Sequence, residues 1–308
     1  MTENRFETEL IQYITTGTIS NPKCLEGIPE FTAIGLGNRV VKTKLWKYEP
    51  DIKTTPQLWE NFKKILEQHN QNVLENPMSD AEFNQVKKII SDLHTPYEAG
   101  QFLYGLNGVS QIEVDLDDGR HVFLTVFDQK QIGAGDTVYQ VVNQIERPAV
   151  INGKMNRRFD TTLLINGLPI IQIEEKRDTH DVNEALNQMH QYIDEGQYGD
   201  IFSMLQILIA ITPNNVKYMA NTTSERFNKD FAFNWQREDN TIVRDWKEFA
   251  DSMLSIPMAH QMATNYMILD GTPNKQSLKV MRPYQVYATQ AVIEGLKNVD
   301  FEFGDKKV

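Results

Sequence analysis

The sequence predicts an α/β fold, a mixed β-sheet flanked by helices, and three features carry that expectation. Amphipathic stretches at helical spacing fill much of the first hundred residues. A hairpin signal, Asn166-Gly167 between two apolar runs, stands at mid-chain. Beyond a further helix, FSMLQILIAI (202 to 211) is nearly continuous in apolar residues, as expected of a strand covered on both faces.

In order, ENRFETELIQYITTGTI places Phe6, Leu10, Ile11 and Ile14 at helical spacing. Residues 15 to 50 are broken by Gly17, Pro22, Gly27, Pro29, Gly35 and Gly37 into loop and short helix. Amphipathic helices follow near 56 to 70 and 80 to 93, their lysines on a solvated face. From 110 to 127 the pattern alternates, with Asp118-Gly119 as the turn of a hairpin. Asp115, Asp117 and Asp118 lack the rest of a calcium loop and fit a turn and solvent face. The histidines have no paired ligand spacing, which argues against zinc. YQVVNQIE (139 to 146) reads as the strand before the central hairpin, with Asn143 and Gln144 as hydrogen-bonding residues rather than DNA contacts.

Arg157 to Tyr192 carries most of the chemistry. Asp160 opens an apolar run to Ile165, and Leu168 to Ile173 runs back into Glu174-Glu175-Lys176. Side chains alternate along a strand, so Glu174 and Lys176 share one face while Ile171, Ile173 and Glu175 take the other. A two-residue Asn166-Gly167 loop sets Phe159 opposite Glu174, whereas a three-residue loop ending at Leu168 sets Asp160 opposite Glu174. The second register is expected, because it alone gathers Asp160, Glu174 and Lys176 on one patch. Two carboxylates, with the backbone carbonyl of Glu175, suit Mg²⁺, and a nearby ammonium suits metal-assisted phosphodiester hydrolysis. Asp181 and Glu184 resemble a capping box and Gly196 closes the helix, which is expected over 182 to 195. Gln188 and Tyr192 lie four apart on one face of it, beside Glu184, and feed the same site.

Asp160, thirteen intervening residues, Glu174-x-Lys176 and then Gln188-x-x-x-Tyr192 resemble the PD-(D/E)xK nuclease superfamily, in the branch with an added QxxxY helix. With VVNQIE, RRFD and INGLPIIQIEEK in order, the chain is similar to the amino-terminal nuclease domain of the restriction (motor) subunit of type I restriction-modification enzymes. That resemblance implies a Mg²⁺-dependent endonuclease for double-stranded DNA, working with methyltransferase (modification) and specificity subunits in an ATP-driven complex. It implies catalytic roles for Asp160, Glu174, Lys176, Gln188 and Tyr192, and metal ligation by Asp160, Glu174 and the Glu175 carbonyl. It also implies an acidic residue of the first helix near the metal, Glu7 being the better match and Glu9 the other. One departure is Phe159, where the family usually has proline; only a local change at the start of the strand is expected.

Downstream, KYMAN (217 to 221) reads as a neighbouring strand, and Phe231, Phe233 and Trp235 as strand residues packing on a core rather than base-stacking ones. NYMILD (265 to 270) reads as a short strand, and 279 to 297 starts a helix. Arg282-Pro283-Tyr284-Gln285 resembles the Q motif of superfamily 2 helicases, which implies an adenine-reading role for Gln285, but no Walker A loop follows. The expected division is an endonuclease domain over 1 to 260, then a linker and the beginning of a RecA-like helicase domain over 261 to 308. A RecB-like exonuclease or junction resolvase shares the hairpin and the QxxxY helix, and a docking domain with a vestigial acidic patch is the non-enzyme alternative.

At 308 residues the chain can bury a large core, and 24% charged residues is ordinary for a globular protein. No apolar run reaches a membrane span and no signal peptide opens the chain, so no membrane partner and a cytoplasmic location are expected. Cys24 alone excludes an internal disulfide and a cysteine metal cluster. A net charge of −11 opposes nonspecific DNA binding. Any DNA contact must therefore be local, through Arg157, Arg158 and Arg177 with Lys154 and Lys176 around the hairpin. Arg39, Lys42, Lys44 and Lys47 form a second basic group.

Overall fold

Three helices of the first half begin where the sequence supplies complete capping boxes: Thr54 with Gln57, Ser79 with Glu82, and Thr95 with Glu98. The computed structural model describes residues 1–16 and 45–297. Cys24, the basic residues Arg39, Lys42 and Lys44, most of the stretch expected to be irregular, and 298 to 308 lie outside the described residues. The elements run α1 (Glu3–Thr16), β1 (Lys47–Tyr48), α2 (Thr55–His69), α3 (Asp80–Ser91), α4 (Pro96–Tyr104), β2 (Val109–Asp115) and β3 (His121–Asp128). They continue β4 (Tyr139–Arg147), β5 (Arg157–Ile165), β6 (Leu168–Glu175), α5 (Val182–Asp194), β7 (Ile207–Thr212) and β8 (Asn215–Ala220). The last are α6 (Trp246–Met253), α7 (Met258–Ala263), β9 (Met267–Asp270), β10 (Ser277–Val280) and α8 (Pro283–Lys297).

A six-stranded mixed sheet, ordered β1-β4-β5-β6-β7-β8, organises the molecule. β6 and β7 run parallel, joined by α5 as crossover, while β4, β5 and β6 form an antiparallel meander. Strands β5 to β7 are almost wholly buried, as their unbroken apolar runs require. Alternation splits the burial. Leu208 and Ala210 pack with Val182, Ala185, Leu186 and Met189 of α5, whereas Ile207, Ile209 and Ile211 enter the main core, to which α1 and α6 contribute Phe6, Leu10, Trp246 and Phe249. Pairs β2-β3 and β9-β10 are separate antiparallel hairpins.

The central hairpin reaches the expected register by a different route. Asn166 and Gly167 both have positive φ, 51° and 80°, so the loop is two residues long and Ile165 pairs with Leu168. Ile170 is then an extra residue in β6, and beyond this bulge Leu163 pairs with Ile171 and Thr161 with Ile173, the register that sets Asp160 against Glu174. Pro169, which has no N–H to donate, sits at the bulge, before the pairing of β6 with β7 begins at Ile171. Gly167 also lies against α2, where a Cβ would come within 2.9 Å of the Phe62 Cα. Asn166 fixes the tip by exchanging hydrogen bonds with Val138 and donating to the Val126 carbonyl.

Other expectations are corrected. Residues 202 to 206 are not strand; a 3-10 turn spans Asp200–Met204 and β7 starts at Ile207. Helix α4 and strand β10 were not expected. Trp235 is buried, edge-on to Tyr218 and Tyr287, as a core residue, whereas Phe231 is exposed. Residues 267 to 287 pack on the sheet's β8 side through β10, with the Tyr218 hydroxyl donating to the Met281 carbonyl and Val286 fully buried. None of the described helices is long and apolar enough to cross a membrane.

Candidate active site

The open end of the β5-β6 hairpin carries the expected acidic residues. Glu174 pairs with Ala210 and Glu175 with Ile211, so by alternation their side chains take opposite faces of the sheet, Glu174 towards α5. Asp160 Oδ2 accepts the Glu175 main-chain N–H at 3.0 Å. Lys176, one residue beyond β6, returns to the Glu174 face with Nζ 3.4 Å from Glu174 Oε1, and it donates to the Glu175 carbonyl at 2.9 Å. Asp160, Glu174 and Lys176 are therefore brought together.

Beside them lies an open cavity of about 320 Å³ whose walls include Glu7, Asp160, Glu175, Lys176, Gln188 and Tyr192. Glu174 lies beneath it, fully buried. α5 supplies Gln188 and Tyr192 one turn apart, the Gln188 amide donating to the Tyr192 hydroxyl. The expected capping box of this helix does not form. Asp181 caps the Asn183 N–H, and Glu184 is exposed and bonded to His180, away from the cavity. Phe159 fills the position where proline is usual by packing on Tyr192 at 4.9 Å between ring centroids and edge-on to Phe202.

Electrostatics follow from burial. Burial, then the charge of Asp160, holds the Glu174 carboxyl well above the usual carboxylate range. Burial, Asp160 and Glu7 do the same for Glu175. Asp160 is raised by burial, against the Glu175 N–H and Lys176, which favour its charged form. For Lys176 burial alone would lower the pKa, but Glu174, Asp160 and Glu3 together lift it above the ordinary lysine value. These carboxylates favour the charged form of Lys176.

The residues fit a hard divalent cation. Among the described residues, Glu174 Oε2 is buried without a hydrogen-bond partner and the buried Glu175 carboxylate has at most the Thr161 side chain beside it, an arrangement costly unless something positive meets these oxygens. Among the described residues no three His, Cys, Asp or Glu side chains form a ready metal cage, so water and the Glu175 carbonyl would complete the shell, as Mg²⁺ tolerates. Of the two acids proposed on the first helix, Glu7 reaches the site and Glu9 pairs with Arg5 instead. Glu7 is buried, accepting from the side chains of Asn143 and Gln144, which fills the hydrogen-bonding role expected of both.

The three arginines differ. Arg157 is held in a two-pronged pair with Glu195 at 2.5 and 2.6 Å, Arg158 is exposed at the cavity rim, and Arg177 is exposed off its wall. The Gln285 side chain accepts its own helix's Arg282 N–H at 2.9 Å. Sequence reasoning missed Glu3, whose carboxylate stands 3.1 Å from Lys176 Nζ. No periodicity marks an exposed acid in a first turn, and only the fold brings it to a lysine so distant in the chain. It also assigned Glu175 a carbonyl but no side-chain role, although alternation had already placed that carboxylate on the opposite face.

Residues 36–227 match the family described as type I restriction enzyme R protein N terminus. The chain is 32% identical over 244 residues to the type I restriction enzyme SauMSSORF170P endonuclease subunit of Staphylococcus aureus strain MSSA476, an overlap covering 79% of this chain and 24% of that protein. It is 31% identical over 243 residues to the SsaAORF53P endonuclease subunit of Staphylococcus saprophyticus, with the same coverage. Against the EcoprrI endonuclease subunit of Escherichia coli it is 35% identical over 185 residues, 59% of this chain and 56% of that one. The matched region thus spans about a quarter of the staphylococcal relatives' length. With the family match covering well over half of its residues, the chain belongs to the type I restriction enzyme R protein N-terminal family.

Proposed function

We propose that this chain is the nuclease part of a type I restriction enzyme's motor subunit, cleaving double-stranded DNA endonucleolytically with Mg²⁺ as defence against foreign DNA. The observation that carries the reading is the meeting of Asp160, Glu174 and Lys176 at one strand end, with a buried Glu174 oxygen that no described residue hydrogen-bonds. Asp160, Glu174 and the Glu175 carbonyl would hold the ion, with Glu7 alongside. Bound there, Mg²⁺ supplies charge neutralisation at a phosphoryl oxygen and lowers the pKa of its water.

The chain's own groups do the rest. Lys176, charged and held by Glu174 and Glu3, places a positive charge where a scissile phosphate gains negative charge. Gln188 donates to the Tyr192 hydroxyl at the cavity wall, and that hydroxyl in turn donates to the Arg158 carbonyl at 3.4 Å, so the pair ties α5 to β5 beside the site and positions it. Arg158 and Arg177 lie exposed for the DNA backbone, and Arg157 mainly anchors the end of α5 through Glu195.

The wider assembly belongs to the same proposal: methyltransferase and specificity subunits that choose the DNA, and an ATP-driven motor that follows this domain. On this reading 1 to 260 is the endonuclease domain and 261 to 308 leads into the helicase, where Gln285 would meet adenine. The test is plasmid cleavage by the full subunit with its partners, with Mg²⁺ or with chelator, for the parent and Asp160→Ala. Cleavage that needs Mg²⁺ and is lost in Asp160→Ala is expected; metal-independent cleavage, or an active variant, would refute the reading.

A further inference from the structure

We propose that the loop between β4 and β5, residues 148 to 156, is an apolar ridge that seats in a groove of duplex DNA beside the cleavage position. The inference rests on the nuclease reading, which supplies the substrate, and adds a contact surface outside the residues that reading uses.

Between Arg147 and Arg157 the chain runs Pro-Ala-Val-Ile-Asn-Gly-Lys-Met-Asn, and every one of these residues is exposed. Val150 is 58%, Ile151 43% and Met155 71% exposed, three large apolar side chains on one loop. Single exposed apolar residues are ordinary on a protein surface, whereas a group of them marks a contact surface. The loop is also held in shape. Across its base the Ala149 N–H donates to Asn156 Oδ1 at 3.0 Å, and across its tip the Lys154 N–H donates to the Ile151 carbonyl at 3.1 Å. The Gln197 side-chain amide donates to the Pro148 carbonyl at 3.3 Å, tying the loop to the end of α5. A ridge ordered in advance loses little freedom on binding.

Its position selects DNA as the occupant. Asn156, Arg157 and Arg158, where the loop enters β5, wall both the candidate active-site cavity and a second one of about 650 Å³, which Thr54, Pro56 and Pro148 also line. The loop thus rises from the partition between two concavities, a shape that suits a groove with a strand backbone on either side. Charge agrees with this. From Arg147 to Phe159 the chain carries Arg147, Lys154, Arg157 and Arg158 and no acid, in a protein of net charge −11. Lys154 and Arg158 are exposed, free to face phosphates. Apolar side chains flanked by cations are the means by which proteins wedge between base steps and bend the duplex.

The test uses the full-length subunit assembled with its methyltransferase and specificity partners. The photo-crosslinking amino acid p-benzoylphenylalanine replaces Met155 or, in a control, the exposed Leu106, and the complex is irradiated on radiolabelled plasmid with ATP and Mg²⁺. Transfer of label to the subunit from position 155 and not from 106 is expected. A crosslink from 155 to a partner subunit without DNA, no crosslink to DNA, or equal labelling from 106 overturns the ridge. In parallel, plasmid cleavage is measured for Lys176→Ala and for a variant combining Val150→Thr, Ile151→Thr and Met155→Gln. The combined variant should cleave about tenfold or more slowly with ATP hydrolysis retained, as loss of a central contact predicts. Parental cleavage by it, with Lys176→Ala inactive, overturns the ridge and leaves the nuclease reading standing. Undiminished cleavage by Lys176→Ala brings down that reading and, with it, the placing of the ridge beside the cut.

Discussion

Asp160 and Glu175, on neighbouring strands, are joined by a hydrogen bond that the strand ladder does not supply. Pairing between β5 and β6 stops at Thr161 and Ile173, and past it the Asp160 carboxylate accepts the Glu175 N–H at 3.0 Å. The side chain thus closes the open end of the hairpin while facing the cavity. Asparagine can keep that acceptor and alanine cannot. Asp160→Ala is therefore expected to be less stable than Asp160→Asn by about 1 kcal/mol in denaturant unfolding, the net worth of one such bond. Equal midpoints would mean the bond is incidental.

The acidic pair makes the metal-free protein sensitive to rising pH. Glu174 and Glu175 have folded pKa values well above the ordinary 4.5, so the folded state keeps protons that the unfolded chain has released. Their contribution to stability is full below about 4.5 and is lost as pH rises towards the folded values. Glu175→Gln should therefore raise the thermal midpoint in chelator at pH 7.5, by about 2 °C or more for each kcal/mol regained. An unchanged or lower midpoint there would show that the ionised carboxylate is not penalised.

His260 produces the opposite slope. It is buried, Nδ1 lies 2.8 Å from the Tyr139 hydroxyl, which itself accepts the Gly133 N–H, and burial lowers its pKa from 6.5 to about 4. The unfolded chain binds the proton first, so stability is complete above 6.5 and lost as pH falls towards 4, by about 3 kcal/mol at most. His260→Leu should flatten that part of the stability profile measured by urea unfolding. The same slope in the variant would assign it to other groups.

Much of this was legible in the chain, and the failures have physical causes. Asn166-Gly167 gave the hairpin because few other pairs accept two positive φ values. The bulge was missed, though Pro169 inside a buried strand was its signal. An apolar run has no period of its own, so the 3-10 turn at Asp200–Met204 was read as strand. Helix α4 carries Gly100 within nine residues and gave little periodicity; a Cβ there would come within 2.7 Å of the Leu269 Cδ2, which would have to shift. Strand alternation put Glu174 and Lys176 on one face and helical spacing put Gln188 beside Tyr192, while the family resemblance joined the two sets with Asp160. Glu3, Asn143 and Gln144 reach the site only through tertiary packing of α1.

Phe159 supports the site from beneath. It is fully buried, with Tyr192, Tyr198 and Phe202 around its ring. Phe159→Ala should cost about 3–5 kcal/mol in guanidinium unfolding, the usual range for an aromatic core truncation. A loss below about 1 kcal/mol would mean that the neighbouring rings close the gap.

On the proposed reading, DNA is cut at this hairpin and the motor is separate from it. The most direct measurement follows plasmid cleavage and ATP hydrolysis side by side, using the full-length subunit reassembled with its methyltransferase and specificity partners, for the parent and Lys176→Ala. Cleavage reduced on the order of a hundredfold or more, the loss typical of one transition-state contact, with ATP hydrolysis intact, is the predicted result. Undiminished cleavage by Lys176→Ala would contradict it and place the cutting site elsewhere.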